Sequence, residues 1–121
     1  MKELTILVVD DSKFMGKKIS DDMHMMGYKN TIIVDSAYKA IEKAKVYKPD
    51  LVALDITMPE LDGISAIKMI LKVSPYSKII MISAFASKGN IIECLKNGAV
   101  DFIVKPYQFS VLKDVLSKHL G

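Results

Sequence analysis

Short runs of aliphatic and β-branched residues alternate along the chain with longer stretches in which apolar residues recur every three or four positions. The short runs predict five strands, at residues 5–9, 31–34, 51–54, 79–82 and 102–104. The longer stretches predict amphipathic helices with these apolar stripes: Met15, Ile19, Met23 and Met26; Ala37, Ala40, Ile41 and Ala44; Ile64, Ile67 and Leu71; Phe109, Leu112, Leu116 and Leu120. This alternation indicates five βα units.

Polar residues and glycines mark where several of these helices begin and end. Ser12, Ser36 and Asp62 stand at helix starts, where a side-chain oxygen can accept a hydrogen bond from a free backbone N–H. Gly27 and Gly98 stand at helix ends, which often need a residue in the left-handed conformation. The boundaries therefore agree with the apolar pattern.

Strands that are apolar on both faces belong in a parallel sheet covered by helices on each side. For five such strands the common doubly wound order is 2-1-3-4-5, and ligands gather at the carboxyl ends of the strands. The predicted fold is thus an α/β domain with a five-stranded parallel sheet. A length of 121 residues suits one domain, so we expect residues 1–121 to form a single unit.

Polar side chains follow four of the predicted strands. Asp10 and Asp11 follow the first strand, Asp55 the third, Ser83 the fourth and Lys105 the fifth. Each of them alone is most simply a residue that ends a strand. In the predicted order, however, the first and third strands are neighbours, so three carboxylates are expected to converge at one edge of the sheet.

The mutual repulsion of these carboxylates must be offset, because two like charges about 4 Å apart repel by roughly 4 kcal/mol at an effective dielectric near 20. A retained proton, a bound cation or the Lys105 ammonium could each supply it, and these options are compatible. Carboxylate oxygens without a neighbouring histidine or cysteine favour Mg²⁺. His24 and His119 lie in the first and last predicted helices and do not look like ligands.

A magnesium site beside an aspartate, a lysine and a hydroxyl suggests phosphoryl transfer. The ion and Lys105 would neutralise charge on the transferred group, Ser83 would donate to one of its oxygens, and an aspartate would attack. Asp10 and Asp11 are adjacent and flank the ion from one loop. Asp55 stands alone between them and the side of Ser83 and Lys105, so it is the favoured acceptor.

Composition narrows the function classes. The net charge of +3 comes from scattered lysines without any arginine, whereas a nucleic-acid reader usually has a clustered basic stripe and arginines. No apolar stretch approaches the ~20 residues of a membrane helix, and the start leaves no room for a signal peptide. Cys94 is the only cysteine and is expected in the core. We expect a cytoplasmic protein that binds neither nucleic acid nor membrane.

Four segments occur in an order and spacing that resemble the receiver domains of response regulators, in particular single-domain chemotaxis regulators of the CheY type. They are LVVDDS at 7–12, LDITMPELDG at 54–63, ISA at 82–84 and DFIVKP at 101–106. The resemblance covers essentially the whole chain. It implies the flavodoxin-like (βα)5 fold and a signalling module that is not an enzyme beyond its own phosphotransfer and dephosphorylation.

The resemblance also implies roles for individual residues. Asp55 would accept a phosphoryl group from a sensor histidine kinase, and Mg²⁺ would be held by Asp10, Asp11, Asp55 and the backbone carbonyl of Thr57. Lys105 would pair with the phosphoryl group, and the peptide bond to the following proline would be cis. Ser83 and Phe102 would act as the switch, with Ser83 moving toward the phosphate and the Phe102 ring turning inward.

Partners follow from the same resemblance. The expected output is a changed affinity for another protein, such as a flagellar motor switch protein, through a face formed by residues 85–118, and a phosphatase is a further expected partner. The chain ends at Gly121 directly after the last helix, so no effector domain is expected, and we expect a monomer.

Other functions remain open at this point. The chain could serve a different phosphorelay, or it could be a receiver that acts as an unphosphorylated scaffold. A phosphatase with an aspartyl intermediate usually has its two acids two residues apart, whereas Asp10 and Asp11 are adjacent. A flavin-binding electron carrier would need a phosphate loop rich in Ser, Thr and Gly after the first strand, which the segment after Val9 lacks.

Overall fold

The structure is a computed structural model, and it describes residues 3–121. Five strands alternate with five helices along these residues, as the apolar pattern predicts. The elements are β1 (Thr5–Val9), α1 (Lys13–Met25), β2 (Asn30–Val34), α2 (Ala37–Tyr47), β3 (Leu51–Leu54), α3 (Gly63–Val73), β4 (Lys78–Ser83), α4 (Lys88–Asn97), β5 (Asp101–Val104) and α5 (Phe109–Leu120). Predicted and observed strand ends differ by at most one residue.

The five strands form one parallel sheet in the order β2-β1-β3-β4-β5, which confirms the predicted doubly wound order. Successive side chains of a strand point to opposite faces. In β1, Leu7 and Val9 therefore join the apolar layer under α2, α3 and α4, whereas Ile6 and Val8 join the layer under α1 and α5. Each helix buries its apolar stripe on one of these two layers.

The predicted helix starts are confirmed. Ser12 and Ser36 each accept a hydrogen bond from the backbone N–H three residues later, at 3.2 Å, and Asp62 does the same at 2.9 Å. Gly27 and Gly98 have φ angles of 99° and 118°, in the left-handed region where a residue without Cβ is favoured.

Two details of the helices differ from, or refine, the expectations. Phe109 was predicted on the buried stripe of α5 but is 39% exposed; it is the first residue of the helix, and the stripe is buried from Leu112 onward. Cys94 is fully buried in the layer under α4, and burial raises the pKa of its thiol. Its expected role as core filler is confirmed.

None of the helices within residues 3–121 has both the length and the apolar character that a membrane-crossing segment requires.

Candidate functional site

The first carboxylate of the site lies at the end of β1. The backbone N–H of Asp10 still pairs with the carbonyl of Val34 on β2, at 3.1 Å, so the strand ladder holds this residue in place. The side chain is only 2% exposed, and its Oδ1 accepts the backbone N–H of Ser12 at 3.0 Å. Asp11 follows on the exposed side of the same turn.

Asp55 occupies the equivalent position at the end of β3. Val9 of β1 pairs with Leu54 of β3, and the backbone N–H of Asp55 continues the ladder to the carbonyl of Val9 at 3.1 Å. The side chain is buried, and its Oδ1 lies 3.4 Å from the backbone nitrogen of Thr57. Two adjacent strands thus end in buried aspartates side by side.

The predicted convergence of three carboxylates is present in the structure. One oxygen from each of Asp10, Asp11 and Asp55 can be chosen so that all three lie within 4.8 Å of one another. Two of these side chains are buried, so water can screen their repulsion only in part. The site therefore requires positive charge.

Lys105, from the end of β5, supplies part of that charge. Its Nζ lies 2.6 Å from Oδ2 of Asp10 and 3.0 Å from Oδ2 of Asp55, and the side chain is 12% exposed. Burial alone lowers the pKa of Lys105, but the hydrogen bonds and charges of the two aspartates outweigh it and raise the pKa above its ordinary value. Of the three ways to compensate the cluster, the Lys105 ammonium is thus present.

Ser83 is fully buried at the end of β4, the strand between those that carry Asp55 and Lys105. Its Oγ accepts the backbone N–H of Phe85 at 3.1 Å, which ties the hydroxyl to the loop before α4. The carbonyl of Ser83 accepts the backbone N–H of Lys105 at 3.0 Å, so the hydroxyl and the lysine are held by neighbouring strands. A movement of this loop would therefore act on Ser83 directly.

Thr57 and Phe102 complete the residues that the sequence singled out. Thr57 is exposed in the loop after β3. Phe102 is half-buried, and its ring packs against the apolar layer under α2, α3 and α4. The peptide bond between Lys105 and Pro106 is cis, as expected. His24 and His119 contact Thr31 and Asp101 respectively, away from the carboxylate cluster.

Gly63 matters to the site, although nothing in the pattern assigned it a role. The backbone N–H of Gly63, the first residue of α3, donates to the carbonyl of Ile56 at 2.8 Å. A Cβ atom added at Gly63 would lie 1.9 Å from the backbone oxygen of Asp55. The glycine therefore allows α3 to start against the strand end that carries Asp55, and its place after Asp62 in the LDITMPELDG segment is the signal that could have revealed it.

The donor set fits a magnesium ion. Magnesium prefers oxygen ligands and usually keeps several waters, so a site with a few carboxylates open to solvent on one side suits it. Asp10, Asp11 and Asp55 offer such oxygens, and the exposed Asp11 opens the cluster to water. One ammonium among three carboxylates also leaves an excess of negative charge that a divalent cation would offset.

Comparison with protein-family models matches residues 6–117 to the response regulator receiver domain. Chemotaxis protein CheY of Thermotoga maritima is 45% identical, with 93% of this chain and 94% of the relative covered. Chemotaxis protein CheY of Bacillus subtilis is 41% identical, with 96% of this chain and 97% of the relative covered.

Among solved structures, this chain is similar to one chain of a complex from Borrelia burgdorferi that contains CheX, CheY, BeF3 and magnesium. The TM-score is 0.88 at 35% identity, and the match covers 95% of this chain and 88% of the other. The likeness extends over most of the length of both chains.

Proposed function

The chain belongs to the family of response regulator receiver domains, and from this membership we propose that it is a phosphorylation-controlled switch of a two-component system, most directly one for chemotaxis. Asp55 is the proposed acceptor of the phosphoryl group. The observation that carries the proposal is the Lys105 ammonium, which bridges the buried carboxylates of Asp10 and Asp55 beside the exposed Asp11.

In the proposed transfer, a carboxylate oxygen of Asp55 forms a bond to phosphorus while the bond between phosphorus and the donor's imidazole nitrogen breaks. The imidazole leaves with the electron pair and takes a proton from solvent. Lys105 already lies 3.0 Å from the Asp55 carboxylate, so its charge is in place where the new acyl phosphate gains negative charge.

Asp10, Asp11, Asp55 and the backbone carbonyl of Thr57 are the proposed ligands of Mg²⁺. When bound, the ion would neutralise charge on the transferred group. The protein's own contribution is to keep Asp10 buried and fixed by the N–H of Ser12, so that one ligand is held in position before the ion arrives.

Ser83 and Phe102 are the proposed switch. A phosphoryl group adds about 1.5 to 2 negative charges and three acceptor oxygens, and it shifts a conformational equilibrium only through contacts that differ between the two states. The Ser83 hydroxyl would turn from the N–H of Phe85 toward the phosphoryl group and take the loop with it. The half-buried Phe102 ring would then turn fully inward.

The proposed partners are a sensor histidine kinase as donor and a protein target that recognises the phosphorylated form through residues 85–118. A flagellar motor switch protein is the candidate target, and a phosphatase is a further proposed partner. The CheY relative that is complexed with CheX makes a protein similar to CheX another candidate partner. We further propose that the chain acts as a cytoplasmic monomer and that residues 1–121 form one domain.

In this proposal the chain is a signalling module, and its chemistry is limited to its own phosphorylation and dephosphorylation. A receiver that acts only as an unphosphorylated scaffold would not need three carboxylates whose mutual repulsion the Lys105 ammonium offsets only in part. That arrangement therefore favours the phosphorylated switch over the scaffold.

Phosphorylation-dependent binding tests this function. The purified chain is mixed with the motor switch protein of the same organism, in Mg²⁺ with and without beryllofluoride, and the complex is measured by isothermal titration calorimetry. The expected result is tighter binding with beryllofluoride for the wild type and no change for Asp55→Asn. Equal affinity with and without beryllofluoride, for this target and for a protein similar to CheX, would contradict the proposed switch.

A further inference from the structure

Tyr107 makes a contact between α1 and the segment after β5 that the proposed function does not use. Its hydroxyl donates to Oδ2 of Asp22 at 2.7 Å. The same oxygen accepts Nζ of Lys18 at 2.9 Å, and this Nζ lies 4.6 Å from the centre of the Tyr107 ring. The three side chains thus close a triangle that joins two elements far apart in sequence.

The contact is strong for a pair near the surface. A hydroxyl that donates to a carboxylate forms a shorter and stronger bond than a neutral pair, and the Asp22 side chain is only 16% exposed. Burial, followed by the bond to Asp22, raises the pKa of Tyr107, so the hydroxyl keeps its proton throughout the neutral range. The ring also packs on the apolar layer under α1 and α5.

The position of Tyr107 connects this triangle with the phosphorylation site. Tyr107 follows Lys105 by two residues, and α1 begins directly after the Asp10 and Asp11 turn. Pro106 and Gln108, on either side of Tyr107, are exposed, and Gln108 caps α5 without a side-chain hydrogen bond. Between Lys105 and α5, Tyr107 is therefore the residue that attaches this segment to the rest of the domain.

We propose that Tyr107 is a positioning residue for Lys105: by bonding to Asp22 it fixes the segment after β5 on α1, so that the Lys105 ammonium spans Asp10 and Asp55. The simpler alternative is a core tyrosine that merely satisfies its hydroxyl. The proposal rests on the proposed function, because the position of Lys105 matters only where Asp55 takes up a phosphoryl group.

Tyr107→Phe tests the proposal, because it keeps the ring and its contact with Lys18 and removes only the hydroxyl. Two quantities are measured: the rate of Asp55 labelling by acetyl phosphate in Mg²⁺, and the ¹⁵N NMR signal of the Lys105 ammonium. The expected results are a shifted Lys105 signal and labelling that is slower by roughly three- to tenfold. This is part of the ~100-fold loss of rate that an ångström-scale misplacement of a reacting group can cause. Asp22→Asn, which weakens the same bond from the other side, should act in the same direction.

Tyr28→Phe is the matched control. Tyr28 is half-buried on the same apolar layer, and within residues 3–121 its hydroxyl has no hydrogen-bond partner. Its loss should change neither quantity.

Three outcomes for Tyr107→Phe would overturn the proposal: an unchanged Lys105 signal with an unchanged rate, a slower rate with an unchanged signal, or a shifted signal with an unchanged rate. Failure of the proposed function would look different, because the wild type itself would then not be labelled at Asp55.

Discussion

Among single residues, Lys105 has the largest effect on the charge balance of the crevice. Among the described residues, the Lys105 ammonium is the group that forms ion pairs with Asp10 and Asp55. Both carboxylates are buried. Removal of one member of a buried ion pair leaves uncompensated charge, which typically lowers the free energy of unfolding by about 3–5 kcal/mol. A variant without the Lys105 charge should therefore show how much the stability of the protein depends on this one ammonium.

We predict that Lys105→Met lowers the free energy of unfolding of the metal-free protein by roughly 3 kcal/mol at pH 7, and that millimolar Mg²⁺ recovers part of the loss. Urea unfolding with and without Mg²⁺ measures both effects. Lys118→Met is the control, because Lys118 is 71% exposed and lies 4.0 Å from Asp101, where a surface pair contributes little. Equal stability of the two variants would contradict the assigned role of Lys105.

The same pair predicts a dependence on alkaline pH. Because the pKa of Lys105 is raised on folding, its stabilisation is complete below the ordinary value of 10.5 and is lost as the pH rises through the higher pKa of the folded state. The stability difference between wild type and Lys105→Met should stay constant from neutral pH to about pH 10 and shrink above it. A difference that grows above pH 10.5 would have the wrong sign.

The sequence predicted which residues meet at the site but not how they pair. Asp10, Asp55 and Lys105 were identifiable because the carboxyl ends of all strands in a parallel sheet lie at the same edge. The choice of Lys105 as the compensating charge depends on side-chain reach, which a sequence pattern does not contain. The bond from Tyr107 to Asp22 joins positions 85 residues apart without any motif, so only the folded structure could reveal it.

Among the elements, α3 is the one whose placement bears most directly on the acceptor. It starts against the end of β3, and the missing side chain of Gly63 makes that approach possible. The apolar stripe of α3 was readable from the sequence, since its period is regular. The close approach was not, because it depends on the geometry of the loop after Asp55, where Glu60 has a φ of 69°.

We predict that Gly63→Ala destabilises the protein by about 3 kcal/mol, at the upper end of the cost of overpacking. The new Cβ would meet backbone at 1.9 Å, which no side-chain rotation can relieve. Gly89→Ala is the matched control in the first turn of α4, where a Cβ meets nothing within 4 Å, and it should stabilise by roughly 0.5–1 kcal/mol. Thermal unfolding of both variants checks this, and a neutral effect at Gly63 would contradict the tight contact.

In the molecule as a whole, the doubly wound sheet has one chemically distinct end. Its order brings β1 and β3 together in the centre, so that the aspartates at their ends share one crevice with Lys105 from the edge strand β5. This global feature was predictable, because the alternation of apolar patterns indicates the fold class and 2-1-3-4-5 is the common order for five such strands. The excess of negative charge at this end implies that the whole domain responds to divalent cations.

We predict that Mg²⁺ at ten times its dissociation constant stabilises the wild type by about 1.4 kcal/mol, a rise of several degrees in the melting temperature of a domain of this size. Asp11→Asn should largely remove the response, since it takes away one carboxylate of the cluster. Asp21→Asn, which neutralises an exposed aspartate of α1, should leave it intact. Absence of any Mg²⁺ response in the wild type would contradict the acidic cluster as a metal site.

The most direct test of the central claim is the mass of the intact protein after incubation with acetyl phosphate and Mg²⁺. The account predicts that the wild type gains the mass of one phosphoryl group, that peptide mapping locates it on Asp55, and that Asp55→Asn gains nothing. Asp50→Asn, altered at the opposite end of the sheet, should be labelled like the wild type. Undiminished labelling of Asp55→Asn, or no labelling of the wild type, would contradict the account.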